Sequence, residues 1–347
     1  MRILGTGVIA LAALSGGYYY WWNTVADTGV EEFHRWKTAR QAEGFDINHG
    51  PVTTSGFPYR IRMDIANFQM ADPQADNAPE VRFETAWAIA QPWKLTHVIF
   101  GVGGENQVNW SQNHTDYSTL WSAETALGSA TFETSGRLKT LSIDLKTVEA
   151  RPSWRGPLTA ERLQLHTRPI VREITTSDDK HPEVPGTQIS LRGDTIVPGL
   201  KEDIPLAETL EHFGLSAVME GEPADLFDRD SAAKWRDKGG ILDIQALETR
   251  WGDVKVDATG TLALDDEFRM IGAFTSRIVG INSILGTLHQ NGRLDEQAAK
   301  TAGYALNLMT RKDKKNGDRY LELPISLQEG SLYVGPLFLM RIPPLYP

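Results

Sequence analysis

Alternation of apolar and polar residues with a period of two runs through most of the chain after Phe57. It restricts the body to strands with one greasy and one wet face. Tyr59, Ile61, Met63 and Ile65 alternate with Arg60, Arg62 and Asp64. Val81, Phe83, Trp87 and Ile89 read as one face of the next run. Leu141, Ile143 and Leu145 alternate with Ser142, Asp144 and Lys146. The pattern returns at Phe213, Leu215, Ala217 and Met219, at Val254 to Leu264, and at Leu321, Leu323, Ile325 and Leu327. Weaker strands are expected over 95–100, 163–165 and 189–196. Turn signals separate the runs at Arg155-Gly156-Pro157, Pro185-Gly186, Pro198-Gly199, Lys238-Gly239-Gly240 and Trp251-Gly252-Asp253, and 72–79 reads as a polar loop.

Three later stretches have helical spacing: 223–238, 276–290 and 294–309. The last two, joined by Asn291-Gly292-Arg293, predict a helical hairpin against the sheet. The expected fold class is therefore mainly β (α+β). It is a large twisted antiparallel sheet curling into a groove or open barrel, with a few helices and one N-terminal transmembrane helix.

The N-terminus predicts that last element. No charge occurs between Arg2 and Asp27, and as a helix Ile3 to Trp22 would rise about 30 Å, the thickness of a bilayer core. Tyr18, Tyr19, Tyr20, Trp21 and Trp22 then form an aromatic run suited to the headgroup level. Arg2 on one flank and Asp27, Glu31 and Glu32 on the other orient the body for export. A cleaved signal peptide is the competing reading, with Ala13-Leu14-Ser15 as an ill-formed cleavage match. Thr28-Gly29-Val30-Glu31 has capping-box spacing and predicts that a second helix starts there. The expected organisation is an anchor over 1–26, a connecting helix and linker over 27–56, and an exported β-rich domain over 57–347.

Composition narrows the function classes. The 347-residue chain has a formal charge of −10 and shows no basic stripe, which argues against a nucleic-acid partner. The run Arg311-Lys312-Asp313-Lys314-Lys315 reads as a solvated loop after a helix. The absence of cysteine removes disulfides, thiolate metal sites and cysteine nucleophiles. The eight histidines (34, 49, 97, 114, 166, 181, 212 and 289) have no metal-ligand spacing. Gly101-Val102-Gly103-Gly104 lacks the spacing of a nucleotide loop and reads as a loop between strands. Ser216 sits in a strand rather than at a nucleophile elbow. The groups Asp265-Asp266-Glu267 and Asp228-Arg229-Asp230 read as solvated turns rather than calcium loops. No cofactor, metal or catalytic residue follows from the sequence, and it assigns no protein partner.

A faint echo relates Thr259-Gly260-Thr261-Leu262, Glu329-Gly330-Ser331-Leu332 and Ser135-Gly136-Arg137-Leu138, as a repeated hairpin unit would. Four features together resemble the alphaproteobacterial domain-of-unknown-function family 2125. They are the N-terminal segment, Gly56-Phe57-Pro58-Tyr59-Arg60 opening a strand, the hairpin from Trp251-Gly252 to Leu264, and Leu332-Tyr333-Val334-Gly335-Pro336-Leu337. That family is broadly similar in style to AsmA-like envelope proteins, and it offers no catalytic motif. The resemblance implies a single-pass protein of a bacterial inner membrane, with its body in the periplasm.

Apolar strand faces exceed what three helices can cover. The resulting expectation is a non-enzymatic protein tethered to the membrane through residues 3–22, with a lipid or similar molecule lying on a sheet face. The expected lining is Ile61, Met63, Phe83, Trp87, Val256, Leu262, Leu323 and Ile325. A structural or assembly module acting through protein contacts is the alternative, and an envelope hydrolase the second.

Overall fold

The computed structural model describes residues 2–74, 79–112, 115–173, 183–199, 207–221, 229–292, 294–314, 317–335 and 337–345, the side chains of 2–10, 172–173, 183–184, 337 and 339 excepted. Histidines 114 and 181, Asp228, Lys315, Asn316, Pro336 and the expected helix start at Pro223 lie outside the described residues. The chain divides into two units, Met1–Pro157 and Leu158–Pro347. Both are antiparallel open sheets with helices, so the mainly β expectation holds.

The first unit opens with helix α1 (Arg2–Ala42) and strands β1 (Asp46–Asn48) and β2 (Val52–Ser55). There follow β3 (Ile61–Ala71), β4 (Glu80–Gln91), β5 (Lys94–Gln112), β6 (Thr115–Phe132) and β7 (Leu138–Pro152). β3 to β7 pair in chain order as a meander. β1 and β2 share the free side of β3 end to end, interrupted where Pro51 removes a donor.

The helix does not restart at Thr28. Its hydroxyl donates to the Thr24 carbonyl (2.8 Å), and α1 continues unbroken through the expected capping box. Backbone N–H groups at this point already have partners one turn back, so there are no orphans to cap.

Two further strand expectations change. Gly101-Val102-Gly103-Gly104 lies inside β5, not in a loop. A Cβ on Gly101 would sit 2.6 Å from the Trp87 ring, so glycine there makes room for an aromatic on the neighbouring strand. Gly104, at φ 76, sits at a bulge opposite Glu84, whose carboxylate accepts from the Glu105 N–H. β6 was not expected at all. Its Ala, Ser and Gly residues carry little β propensity, and it forms because both neighbours hold it.

The second unit contains β8 (Leu158–Glu173), β9 (Glu183–Val197), β10 (Leu210–Glu220), helix α2 (Arg229–Asp237), β11 (Leu242–Trp251), β12 (Val254–Leu264) and β13 (Met270–Val279). Helices α3 (Ile281–Gln290) and α4 (Glu296–Leu308) precede β14 (Arg311–Lys312), β15 (Arg319–Gln328), β16 (Ser331–Val334) and β17 (Leu337–Arg341). β8 to β13 pair in order, and β15 adds to β13. β14 and β16 both lie along the far side of β15.

The helical hairpin forms, but it begins later than expected. Ser276 and Ile278 belong to β13, where Ile278 packs beneath the helices. The Asp295 carboxylate caps α4 by accepting from the Ala298 N–H (2.7 Å). Pro185-Gly186 lies within β9 rather than in a turn, and Arg311-Lys312 is a short strand. The echo does not mark a structural repeat. Gly136 and Gly330 sit in turns at positive φ, whereas Gly260 is interior to β12 against Phe274.

Candidate apolar face and aromatic collar

Register assigns the apolar side chains of the first unit to one face. One row runs Ile61, Ala90, Val98, Ala130, Leu141, and the next runs Met63, Ala88, Phe100, Gly128, Ile143. Ile65, Ala86 and Val102 begin a third row, and Ala126 pairs with Leu145 beyond them. Small residues dominate the middle of these rows. The Phe100 ring lies over Gly128, where a Cβ would meet it at 2.2 Å.

Helix α1 covers only the β3 side of this face. Trp22 and Ala26 bury Ile61, while Phe33 packs on the cluster of Ile47, Ile65 and Phe68, which also gathers Met63, Met70, Val81 and Phe83. The residues of the three rows from β4 to β7 belong to neither helix-covered cluster. Ala86, Ala88, Ala90, Val98, Phe100, Leu141 and Ile143 are only half-buried.

The second unit builds its apolar face the same way. Leu165, Leu191, Leu215, Leu247, Ala258, Ser276 and Leu323 form one row. Here helices α3 and α4 close part of the face through Ile281, Leu285 and Leu306, which pack on Ile278, Leu321 and Leu323. Ser276 is buried in the row, and its hydroxyl is satisfied by the Leu323 carbonyl (2.7 Å).

The eight expected lining residues therefore divide. Ile61, Met63 and Phe83 share the apolar face of the first unit but lie in its helix-covered part. Val256, Leu262, Leu323 and Ile325 share the apolar face of the second unit. Leu323 is core beneath the helix pair, with Val256 and Ile325 packed against it, and Leu262 packs into the neighbouring cluster around Ala258 and Phe274. Trp87 is a correction. It pairs with Asp64 and Gly101 on the opposite face from Phe83, and the Arg62 guanidinium stacks 4.7 Å from its ring centre. The expected sharing of a face by Phe83 and Trp87 fails because β3 and β4 change parity together. Asn67 takes a left-handed φ of 49°, and Ile65 and Phe68, three apart, fall on one side. The residues missed by sequence reasoning are the alanines of β4 and β6 and Gly128, which carry no bulky signal.

The aromatic run on α1 is divided too. Tyr18 donates its hydroxyl to the Pro58 carbonyl (2.6 Å), and the Trp22 indole N–H donates to the Arg60 carbonyl (3.1 Å). The Phe57 ring lies against Tyr18, Tyr19 and Trp22, with centroids 5.3–5.9 Å away. Gly56-Phe57-Pro58-Tyr59-Arg60 is therefore a turn that receives the helix, closed by the Arg60 N–H to the Gly56 carbonyl, before the strand opens at Ile61. Tyr20 and Trp21 remain exposed on the other side of the helix. Among the described residues no helix is long and apolar enough to cross a membrane.

The wet faces are charged and paired. Glu248, Asp257, Arg277 and Glu322 follow one another across β11, β12, β13 and β15 around a shallow depression of about 290 Å³. Arg250 holds Asp257, Asp313 holds Arg277, and Arg311 holds Glu322. Burial alone would raise the Asp194 pKa, but hydrogen bonds from Arg192 and His212 outweigh it and keep the carboxyl below its ordinary range. Asp265 is likewise lowered: burial opposes the shift, and Arg269 overcomes it. The turn reading of 265–267 fits, since Asp265 also accepts from the Glu267 and Arg269 N–H groups. Among the described residues no three His, Asp or Glu side chains are grouped to hold a metal ion.

A family model described as an uncharacterised protein conserved in bacteria, DUF2125, matches residues 22–343. No curated protein and no solved structure matches the chain.

Proposed function

The chain belongs to the DUF2125 family of uncharacterised proteins conserved in bacteria, and on that premise we propose that it is a membrane-tethered envelope protein that receives an acyl chain on the open rows of its first sheet. The observation that carries this reading is the unhelixed stretch from Ala86, Ala88 and Ala90 to Leu141 and Ile143. Alternation supplies the apolar face, and small side chains leave it low. An acyl chain lying there would gain about 0.8 kcal/mol for each CH₂ taken from water. The uncharged segment from Ile3 to Val25 supplies the tether, with Arg2 on the cytoplasmic side and the body in the periplasm. The role is binding or transfer rather than chemistry. In support, two of the carboxylates around the depression on the second sheet, Asp257 and Glu322, are engaged by arginines.

A lipid carrying a photoactivatable diazirine in its acyl chain tests the reading on the full chain in native membranes. Adducts on Val98, Phe100, Leu141 or Ile143, in addition to the N-terminal segment, are expected. Adducts confined to residues 3–22 would overturn the acyl site while leaving the tether intact.

A further inference from the structure

One end of the first sheet is built unlike the other. β3, β5 and β7 start there, and β4 and β6 finish there, as Ile61 opposite Ala90 and His97 opposite Thr131 fix. The turn at 56–60, the hairpin at 91–94 and the turn at 133–137 therefore line one rim. The rim carries exposed Phe57, Tyr59, Trp93 and Leu95, with Tyr59 at 76% and Trp93 at 58% of full exposure. Exposed Arg60, Lys94 and Lys139 stand among them, and Glu133 is paired with Arg137. At the opposite end the aromatics turn inward on one another. Trp110 and Tyr117 stack and Trp154 meets both edge-on, with centroids 4.8–5.7 Å apart.

Helix α1 fixes what faces the rim. Residues 25–26 lie over Ile61 and Phe33 lies over the cluster of Ile65 and Phe68, so the residues before Tyr18 project past the rim end of the sheet. Tyr19 stands exposed beside Phe57, and Tyr20 and Trp21 are exposed at the same level of the helix, so the aromatic zone continues onto α1. Tyrosine and tryptophan favour the headgroup layer, and lysine and arginine beside them favour anionic lipid. The chain as a whole carries −10, so this cationic rim is a local exception.

Resting on the tether reading above, we propose that the rim is a second membrane contact: an anionic bilayer surface on which Tyr59 and Trp93 enter the headgroup layer while Arg60, Lys94 and Lys139 meet lipid phosphates. The sheet then stands upright on the membrane, with the lower end of its apolar rows at the lipid. A chain could pass from bilayer to Val98 and Phe100 without crossing open water.

The chain has no cysteine, so single labels are clean. Gln91→Cys, on the rim hairpin, and Gln112→Cys, at the far end of β5, are each spin-labelled in the full chain. Each is reconstituted into vesicles of equal phosphatidylcholine and phosphatidylglycerol. The expected result is loss of broadening by an aqueous nickel chelate at position 91, with broadening by oxygen retained, and full nickel broadening at 112. Adding Trp93→Ala and Lys94→Glu to Gln91→Cys should return nickel broadening to position 91 while the chain still floats with the vesicles. Equal nickel broadening at 91 and 112 in vesicles that the chain floats with overturns the rim contact and leaves the tether standing. A chain that does not float overturns both.

Discussion

The two sheets begin from the same pattern and end differently. In the second unit, apolar rows rich in leucine meet the helix pair α3–α4, and Leu321 retains 1% of its exposure. In the first unit, helix α1 covers β3 and the start of β4, and beyond it Ala86, Ala88, Ala90, Val98, Phe100, Leu141 and Ile143 stay half-buried although Ala126 and Ala130 of β6 are buried. Alternation alone therefore decides that a face is apolar, not that it is closed. Closure depends on whether a helix arrives and on how tall the side chains beneath it are.

The contrast can be broken most forcefully at Leu321. Leu321→Ala should cost about 2–5 kcal/mol in chemical denaturation, as expected for a closed core. A loss near zero would put the second sheet in the same open class as the first. Gly101→Ala should cost about 1–3 kcal/mol, because its Cβ would fall 2.4 Å from the Ala126 carbonyl oxygen and against the Trp87 ring. Trp87→Ala in that background should recover none of the backbone clash.

Ala88→Leu sharpens the comparison from the open side. Its thermal midpoint should stay close to that of the native chain, with a change under about 1 kcal/mol, while diazirine adducts on Phe100 and Ile143 fall. A large destabilisation instead would mean that the row is tightly packed. Tyr18→Phe should cost about 1 kcal/mol through the lost bond to the Pro58 carbonyl.

The smallest effect is acid dependence. Asp194 has a lowered folded pKa, so its contribution is present above the unfolded Asp value and is lost as pH falls through the folded one. Asp194→Asn should therefore be less stable than the native chain near neutrality, and the two should converge below roughly pH 4 in urea titrations.

Much of the strand map was legible. β10, β12 and β15 follow from strict alternation of large apolar residues, and the hairpin turn at Trp251-Gly252-Asp253 from its glycine. What escaped the sequence was set by neighbours. β6 has few large side chains, and its strand state comes from pairing on both edges. Trp87 was assigned to the wrong face because a left-handed residue on an adjacent strand shifts parity without leaving a mark in its own run. The aromatic run at 18–22 was legible as interfacial chemistry. Its docking on Phe57 was not, because two segments forty residues apart share no local pattern. Of the expected lining in the first unit, Ile61, Met63 and Phe83 proved to be covered. The open rows were legible at Leu141 and Ile143, while the alanines of β4 and β6 that complete them lacked any bulky signature.

The left-handed Asn67 gives β3 a fixed phase as well as a direction. Ile61 to Ile65 and Phe68 to Met70 point to one side only because a single residue interrupts the zigzag between them. Straightening Asn67 into extended backbone, with the length unchanged, would do more than smooth the strand. It would turn Phe68 and Met70 outward together and empty the cluster around Ile47, so the backbone turn at that residue is as constrained as the chemistry around it.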